Sequence, residues 1–291
     1  MSELDTVLVT GATGQVGRRL VPRLLSWREP GAQVRVLVRT QEAADAFAAA
    51  GAQTVVGDLR NIEDRKRALD GVSVVVNSAA TFRGRNVTED DMNAVNRDAA
   101  VALAKESAEA GVRRFVQIST NLVYGAGVGR PAVEDDELRT EMRGYPTSKR
   151  ECEQELARLR EETGLDIVTL RLAFVYGEGD PHIADSLPRF TSWAAHQRMQ
   201  MVHHADVAQA VIRAIRTQGI DGRGYNIADD GGTTGFELYE LVGRHMDLAA
   251  AAGRTVEDPW FGVTDTGRAE RELGFRPLYP SARSARRAGA L

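Results

Sequence analysis

Cysteine is almost absent: Cys152 is the one cysteine in 291 residues, so no internal disulfide can form. Met1 is not followed by a basic-then-apolar leader pattern, and together the two absences lead to the expectation of a reducing, cytoplasmic setting. Cys152 has no clear histidine partner in sequence and reads as a packing residue, not a nucleophile. Hydrophobic residues make up 43% of the chain, yet no run of them approaches the ~20 residues a membrane helix needs, so no membrane partner is expected. A formal charge of -4 leaves no electrostatic footprint for nucleic acid, and the small basic cluster Arg283, Arg286 and Arg287 reads as a solvated tail. The acidic run Glu134-Asp135-Asp136-Glu137 likewise reads as a solvated loop. Histidine is scarce too, and the adjacent His203 and His204 would point to opposite faces of a strand, so no metal site is expected.

Glycine, in contrast, is placed with purpose. Thr10-Gly11-Ala12-Thr13-Gly14-Gln15-Val16-Gly17 follows the apolar stretch Leu4 to Val9 and precedes the helix-like Arg18 to Trp27. Glycines three residues apart let a strand reverse tightly into a helix and let backbone N–H groups approach a pyrophosphate at the helix N-terminus. A bound nucleotide is the first expectation.

Short apolar runs recur at Thr6–Val9, Val34–Val38, Thr54–Val56, Val72–Val76, Phe115–Ile118 and Ile167–Leu170. Between them lie helix-like stretches such as Gln41–Ala50, Glu63–Leu69, Glu89–Ala110 and Tyr145–Glu162. That alternation predicts an α/β fold: a Rossmann-type doubly wound parallel sheet, with ligands at the carboxyl ends of its strands. After Leu170 the pattern loosens around Gly177, Gly179 and Pro181, and the helix-like Asp206–Arg216 returns to it, with Asp206 expected as its cap. The expected division is 1–172, with 203–226 returning, as the nucleotide-binding domain. Residues 173–202 and 227–291 form a small C-terminal substrate-binding lobe.

The strand ends carry the cofactor candidates. Arg39 ends the second strand, near the position ~20 residues past the glycines where a carboxylate would bind an NAD ribose. A guanidinium there can hold a 2′-phosphate by charge-assisted hydrogen bonds, so NADP is expected over NAD; an ordinary exposed arginine is the competing reading. Asp58 and Leu59, after Gly57, close the third strand, where a carboxylate can accept from adenine or cap the next helix. Ser78, Ala79 and Ala80, behind Asn77, let backbone lie against a cofactor, or serve helix–sheet packing. Tyr145 and Lys149 are four apart on one helical face, so an ammonium can stabilise the phenolate and draw a phenol of pKa ~10 towards the working range. The same spacing also suits an ordinary amphipathic pair.

Taken in order, these landmarks resemble an extended short-chain dehydrogenase/reductase of the NAD-dependent epimerase/dehydratase family, over nearly the whole chain. Asn96, Ser119 to Gly125, Arg171 through Val175-Tyr176-Gly177, His203 to Ala208, and Leu273 to Pro277 complete the match. The resemblance implies Thr120 as the catalytic hydroxyl beside Ser119, Tyr145 as acid/base, and Lys149 tuning it and holding the nicotinamide ribose. It implies Asn96 and Ser119 in the cofactor set and Leu172 and Val175 at the nicotinamide end. Where hexose-dehydrating members carry Asp-Glu, this chain has Asn121-Leu122; where the family carries a polar Asn, it has Phe174; and the segment from Gly179 to His203 is short. These departures favour a small, flatter carbonyl substrate reduced by NADPH, with Thr81, Phe82, Phe174 and His182 lining its pocket. A sugar-nucleotide epimerase and a non-catalytic NADP-sensing regulator are the alternatives. A homodimer through Glu89–Ala110 and Tyr145–Glu162 is expected, with Met92, Val95, Ala99 and Leu103 as its apolar stripe, unless that stripe packs on the sheet.

Overall fold

A computed structural model describes residues 6–82 and 86–291; Leu4 and Asp5 of the first apolar run lie outside the described residues. Strand and helix alternate from the start: β1 (Thr6–Thr10), α1 (Gly17–Trp27), β2 (Gln33–Val38), α2 (Gln41–Ala49), β3 (Gln53–Val56), α3 (Ile62–Leu69) and β4 (Val74–Asn77). The rhythm continues through α4 (Glu89–Asn93), α5 (Ala100–Glu109), β5 (Arg114–Thr120), α6 (Tyr145–Thr163) and β6 (Asp166–Leu172). Then come β7 (Phe174–Tyr176), α7 (His182–Phe190), β8 (Arg198–Met199), β9 (Met201–His203), α8 (His204–Arg216) and β10 (Gly224–Ile227). The chain closes with β11 (Thr233–Thr234), α9 (Gly235–Leu241), α10 (Leu248–Ala252) and α11 (Ala282–Arg287).

Seven strands form one parallel sheet in the order β3-β2-β1-β4-β5-β6-β10. Because the order reverses between β1 and β4, a crevice opens above their carboxyl ends. Side chains alternate along each strand, which explains why both faces are apolar. Val7, Val9, Val74, Val76, Val116 and Val168 pack with Leu20, Leu24 and Val211 on the α1 and α8 side. Leu8, Val75, Phe115 and Ile167 pack with Leu103, Cys152 and Leu156 on the α5 and α6 side. A third apolar cluster joins Tyr176, Ile183, Leu187 and Phe190 to Leu238, Tyr239 and Ala285.

Five local features differ from the sequence expectation. The helix over 89–110 is broken by a π-helical turn, Ala94–Ala99. The edge strand β10 adds a seventh member, held by Tyr225 and Ile227 in the core. The basic tail is not merely solvated: Ala282 and Ala285 of α11 are buried, Arg283 meets Glu237 at 3.3 Å, and Arg286 donates to the Glu240 carbonyl at 2.7 Å. Glu134 is not a solvated loop residue either; it is buried, accepts from the Asn226 N–H at 3.0 Å and faces Arg268 at 3.7 Å. Finally, His203 and not Asp206 caps α8, through Nδ1 accepting the Ala205 N–H at 3.1 Å. Asp206 turns away to accept from the N–H groups of Leu278 and Tyr279.

Candidate active site and nucleotide crevice

The glycine turn runs from β1 into α1 at the mouth of the crevice. A methyl group on Gly11, where φ is +68°, would lie 2.6 Å from the Ala79 backbone, and one on Gly17 would lie 2.2 Å from the Gly11 carbonyl. Both positions exclude side chains because β1, β4 and α1 meet there. Gly14 is different: a Cβ would meet only the Gly11 carbonyl, at 3.2 Å, and Thr13, Gly14 and Gln15 are exposed. Val16 supplies no side-chain cap and the first turn of α1 holds no acidic residue; the Arg18 and Arg19 N–H groups bond back to the Gly14 and Val16 carbonyls at 3.0 and 3.1 Å, while those of Gln15, Val16 and Gly17 make no bond among the described residues and are left to an anion. The turn fits a dinucleotide pyrophosphate.

At the neighbouring strand ends, Arg39 is exposed and makes no hydrogen bond or ion pair among the described residues. Asp58 is gripped by Arg60 through contacts of 3.0 and 2.6 Å, a partner the sequence reading missed. Those hydrogen bonds hold the Asp58 carboxyl down at about 2. Asn61, not Asp58, caps α3. Leu59 is buried in the core, and the Ser78 hydroxyl donates to the Thr10 carbonyl at 2.7 Å.

A buried polar chain crosses the sheet below the crevice. Thr10 donates to Asn77 at 2.6 Å, Asn77 to Gln117 at 2.8 Å, and Gln117 to the Ile118 carbonyl at 2.8 Å. Lys149 Nζ donates to that same carbonyl at 3.0 Å. This fixes the lysine over the end of β5, with its ammonium 5.9 Å from the centre of the Tyr145 ring. Asn96, within the π turn, accepts from the Thr81 N–H at 2.7 Å and donates to the Thr81 carbonyl and to Ser148 at 2.8 and 3.0 Å. Its fully engaged side chain therefore ties the end of the β4 loop to the start of α6. Ser119 is bonded to Glu153, which is paired with Arg171 at 2.8 Å. Glu153 follows Lys149 by one helical turn, a spacing that could have marked it in the sequence. Thr120, nearly buried, caps a short 3-10 turn by accepting the Leu122 N–H at 3.3 Å.

Tyr145 begins α6, and its hydroxyl makes no hydrogen bond among the described residues. The expected lowering of its pKa by Lys149 is not found. Burial alone pushes the phenol up, and burial also pulls the Lys149 ammonium down, against the opposing pull of Cys152 and Glu153, while the ammonium is directed to a backbone carbonyl. Three of the four sequence-chosen pocket residues converge: Phe82, next to Thr81 in the chain, meets the Tyr145 ring edge-on at 4.6 Å, and His182 lies 6.3 Å from Phe82 and stacks on Phe174 at 3.8 Å. The His182 ring is held by the Val175 carbonyl at 3.0 Å, which places Val175 beside the same wall, directly beyond the buried Leu172 of β6.

Comparison with known proteins agrees with this architecture. Residues 7–228 match the NAD dependent epimerase/dehydratase family model. A Stigmatella aurantiaca 4-hydroxy-2-methyl-3-oxo-4-farnesyl-3,4-dihydroquinoline-1-oxide ketoreductase is 28% identical over 95% of this chain and 82% of its own. A Streptomyces griseus dTDP-glucose 4,6-dehydratase is 30% identical over 95% of this chain and 90% of its own. Among solved structures, the Thermotoga maritima UDP-glucose 4-epimerase superposes with a TM-score of 0.76 at 22% identity, covering 97% of this chain and 99% of that one. The chain belongs to the NAD dependent epimerase/dehydratase family and is an oxidoreductase of the extended short-chain dehydrogenase/reductase type.

Proposed function

We propose that the chain is an NADPH-dependent reductase of a ketone or aldehyde on a planar, weakly polar small molecule. The observation that carries this reading is the aromatic wall: Phe82, Phe174 and His182 gather against Tyr145. A wall of ring faces favours a flat apolar partner over a polyol. The name of the ketoreductase relative points the same way.

In this reading Gly11 to Gly17 hold the pyrophosphate and Arg39 the 2′-phosphate, Asp58 and Leu59 flank the adenine, and Ser78 to Ala80 lie along the cofactor. Leu172 and Val175 face its nicotinamide, which would supply the hydride when bound. Tyr145 donates its proton to the carbonyl oxygen, and Thr120 hydrogen-bonds that oxygen. The raised phenol suits this direction, since the tyrosine waits protonated. Lys149, fixed by the Ile118 carbonyl, then offsets the charge of the tyrosinate. The third apolar cluster belongs to the proposed substrate lobe, 173–202 and 227–291. A cytoplasmic homodimer is part of the same proposal.

Tyr145→Phe tests it. NADPH binding should be retained while turnover with an aromatic ketone falls by about 100-fold or more; near-normal turnover would remove Tyr145 from the role. A tightly retained oxidised coenzyme, with no net NADPH consumption, would indicate epimerisation instead.

A further inference from the structure

The segment between β7 and α7 is tied to the glycine turn through a buried carboxylate. Asp180 Oδ1 accepts the backbone N–H of His182, the first residue of α7, at 2.9 Å. Its Oδ2 meets His204 Nε2 at 2.7 Å, with both side chains almost fully buried. Arg19 Nη1 stands 3.9 Å from that oxygen. The same guanidinium donates to the Gln15 carbonyl at 3.0 Å, to Gln15 Oε1 at 2.8 Å, and to the Glu178 carbonyl at 2.8 Å. Arg19 therefore touches both the turn and the segment that ends in His182.

Two further observations show that this segment is held, not draped. Glu178 sits at φ +57°, a left-handed conformation that a non-glycine residue keeps only where its surroundings over-determine it. Its carboxylate is paired with Arg23, one turn beyond Arg19 on α1. Burial pushes the Asp180 carboxyl up, but hydrogen bonds from His204 and the His182 backbone outweigh it and leave the group ionised.

We propose that Arg19 and Asp180 are positioning residues that couple occupancy of the glycine turn to the placement of His182, and so to the aromatic wall. This inference rests on the nucleotide reading of the turn given above. An anion that orders Gln15 must act on Arg19, which is bonded to it twice, and Arg19 shares Asp180 with the first turn of α7. Because such coupling is reciprocal, a ligand on the aromatic wall must tighten the nucleotide by the same factor.

The test uses histidine labelled with carbon-13 at Cε1 and 2′-phospho-ADP-ribose, which carries the pyrophosphate but has no nicotinamide to reach His182 directly. The His182 resonance is assigned with His182→Gln, and binding is followed by calorimetry. In the native protein, saturation should shift the His182 and His204 resonances. In Asp180→Asn and in Arg19→Gln, binding should persist while the His182 shift falls at least threefold. Binding without any His182 shift in the native protein overturns the coupling and needs no variant to fold. A full shift in either folded variant overturns it as well. Failure of the nucleotide to bind at all removes the nucleotide reading together with the coupling.

Discussion

Arg39 and His204 illustrate how two single side chains make opposite use of charge. Arg39 is exposed and makes no hydrogen bond or ion pair among the described residues, while Asp58, whose field it feels only at a distance, is paired with Arg60. A 2′-phosphate arriving there meets an available cation and no free anion. Charge-assisted hydrogen bonds of this kind contribute about 1.5–3 kcal/mol. Arg39→Asp should therefore weaken NADP by about 10- to 100-fold relative to NAD, as measured by competitive titration of both coenzymes; an unchanged ratio would refute the assignment. His204 is instead kept neutral: burial pulls its pKa below the ordinary value, against the pull of Asp180 and Glu178 and with the help of Arg19. The unfolded chain takes up that proton more readily, so the stability His204 contributes is complete above about pH 6.5 and declines as pH falls below it. His204→Gln should flatten this acid limb in urea titrations between pH 7 and pH 5. An unaltered slope would mean that other groups set it.

At the scale of elements, the short apolar strands and the spaced glycines were readable because each follows from local geometry. The sequence marked β1 to β6 and the turn into α1. It did not mark β10, whose four residues Gly224–Ile227 become a strand through pairing with β6. The π turn was hidden for a related reason: it carries Asn96, whose partner Thr81 is fifteen residues away. Tyr145, Lys149 and the aromatic pocket residues could be nominated from spacing and resemblance. Arg19 and Asp180 could not, since their meaning lies in partners brought together by the fold. The cap assigned to Asp206 failed because the helix starts earlier, at His204 with His203 as its cap, and Asp206 is claimed by residues 278 and 279. The glycine turn yields a stability prediction: a methyl at Gly17 would press on backbone of the same turn at 2.2 Å, where no side chain can yield. Gly17→Ala should cost about 2 kcal/mol or more in chemical denaturation. A variant as stable as the native protein would show that the turn can open.

Over the whole molecule, two faces of one sheet consume nearly all the apolar periodicity. Ala99 and Leu103, half of the stripe expected for a dimer, are buried against this chain's own sheet. The outer groove between α5 and α6 sets Arg97, Lys105, Glu151, Glu155 and Arg158 around a floor of Val101, Ala102 and Leu159, with Arg97 and Glu151 paired at 2.6 Å. If the proposed homodimer uses these helices, its interface is rimmed by charge and should loosen with salt. Sedimentation equilibrium at micromolar concentration should find dimers at low ionic strength and a rising monomer fraction towards 1 M salt. Monomers throughout would exclude this interface.

The sheet also closes on a residue made late. Tyr124 gives its hydroxyl proton to Asn226 at 2.7 Å and accepts from Arg171 at 2.7 Å, so β5, β6 and β10 share one buried polar junction. During synthesis, Tyr124 and Arg171 emerge from the ribosome before Asn226, which lies 55 residues beyond Arg171 (226 minus 171). Until then the Tyr124 hydroxyl lacks its native acceptor, and β6, without β10 beside it, is an edge open to water.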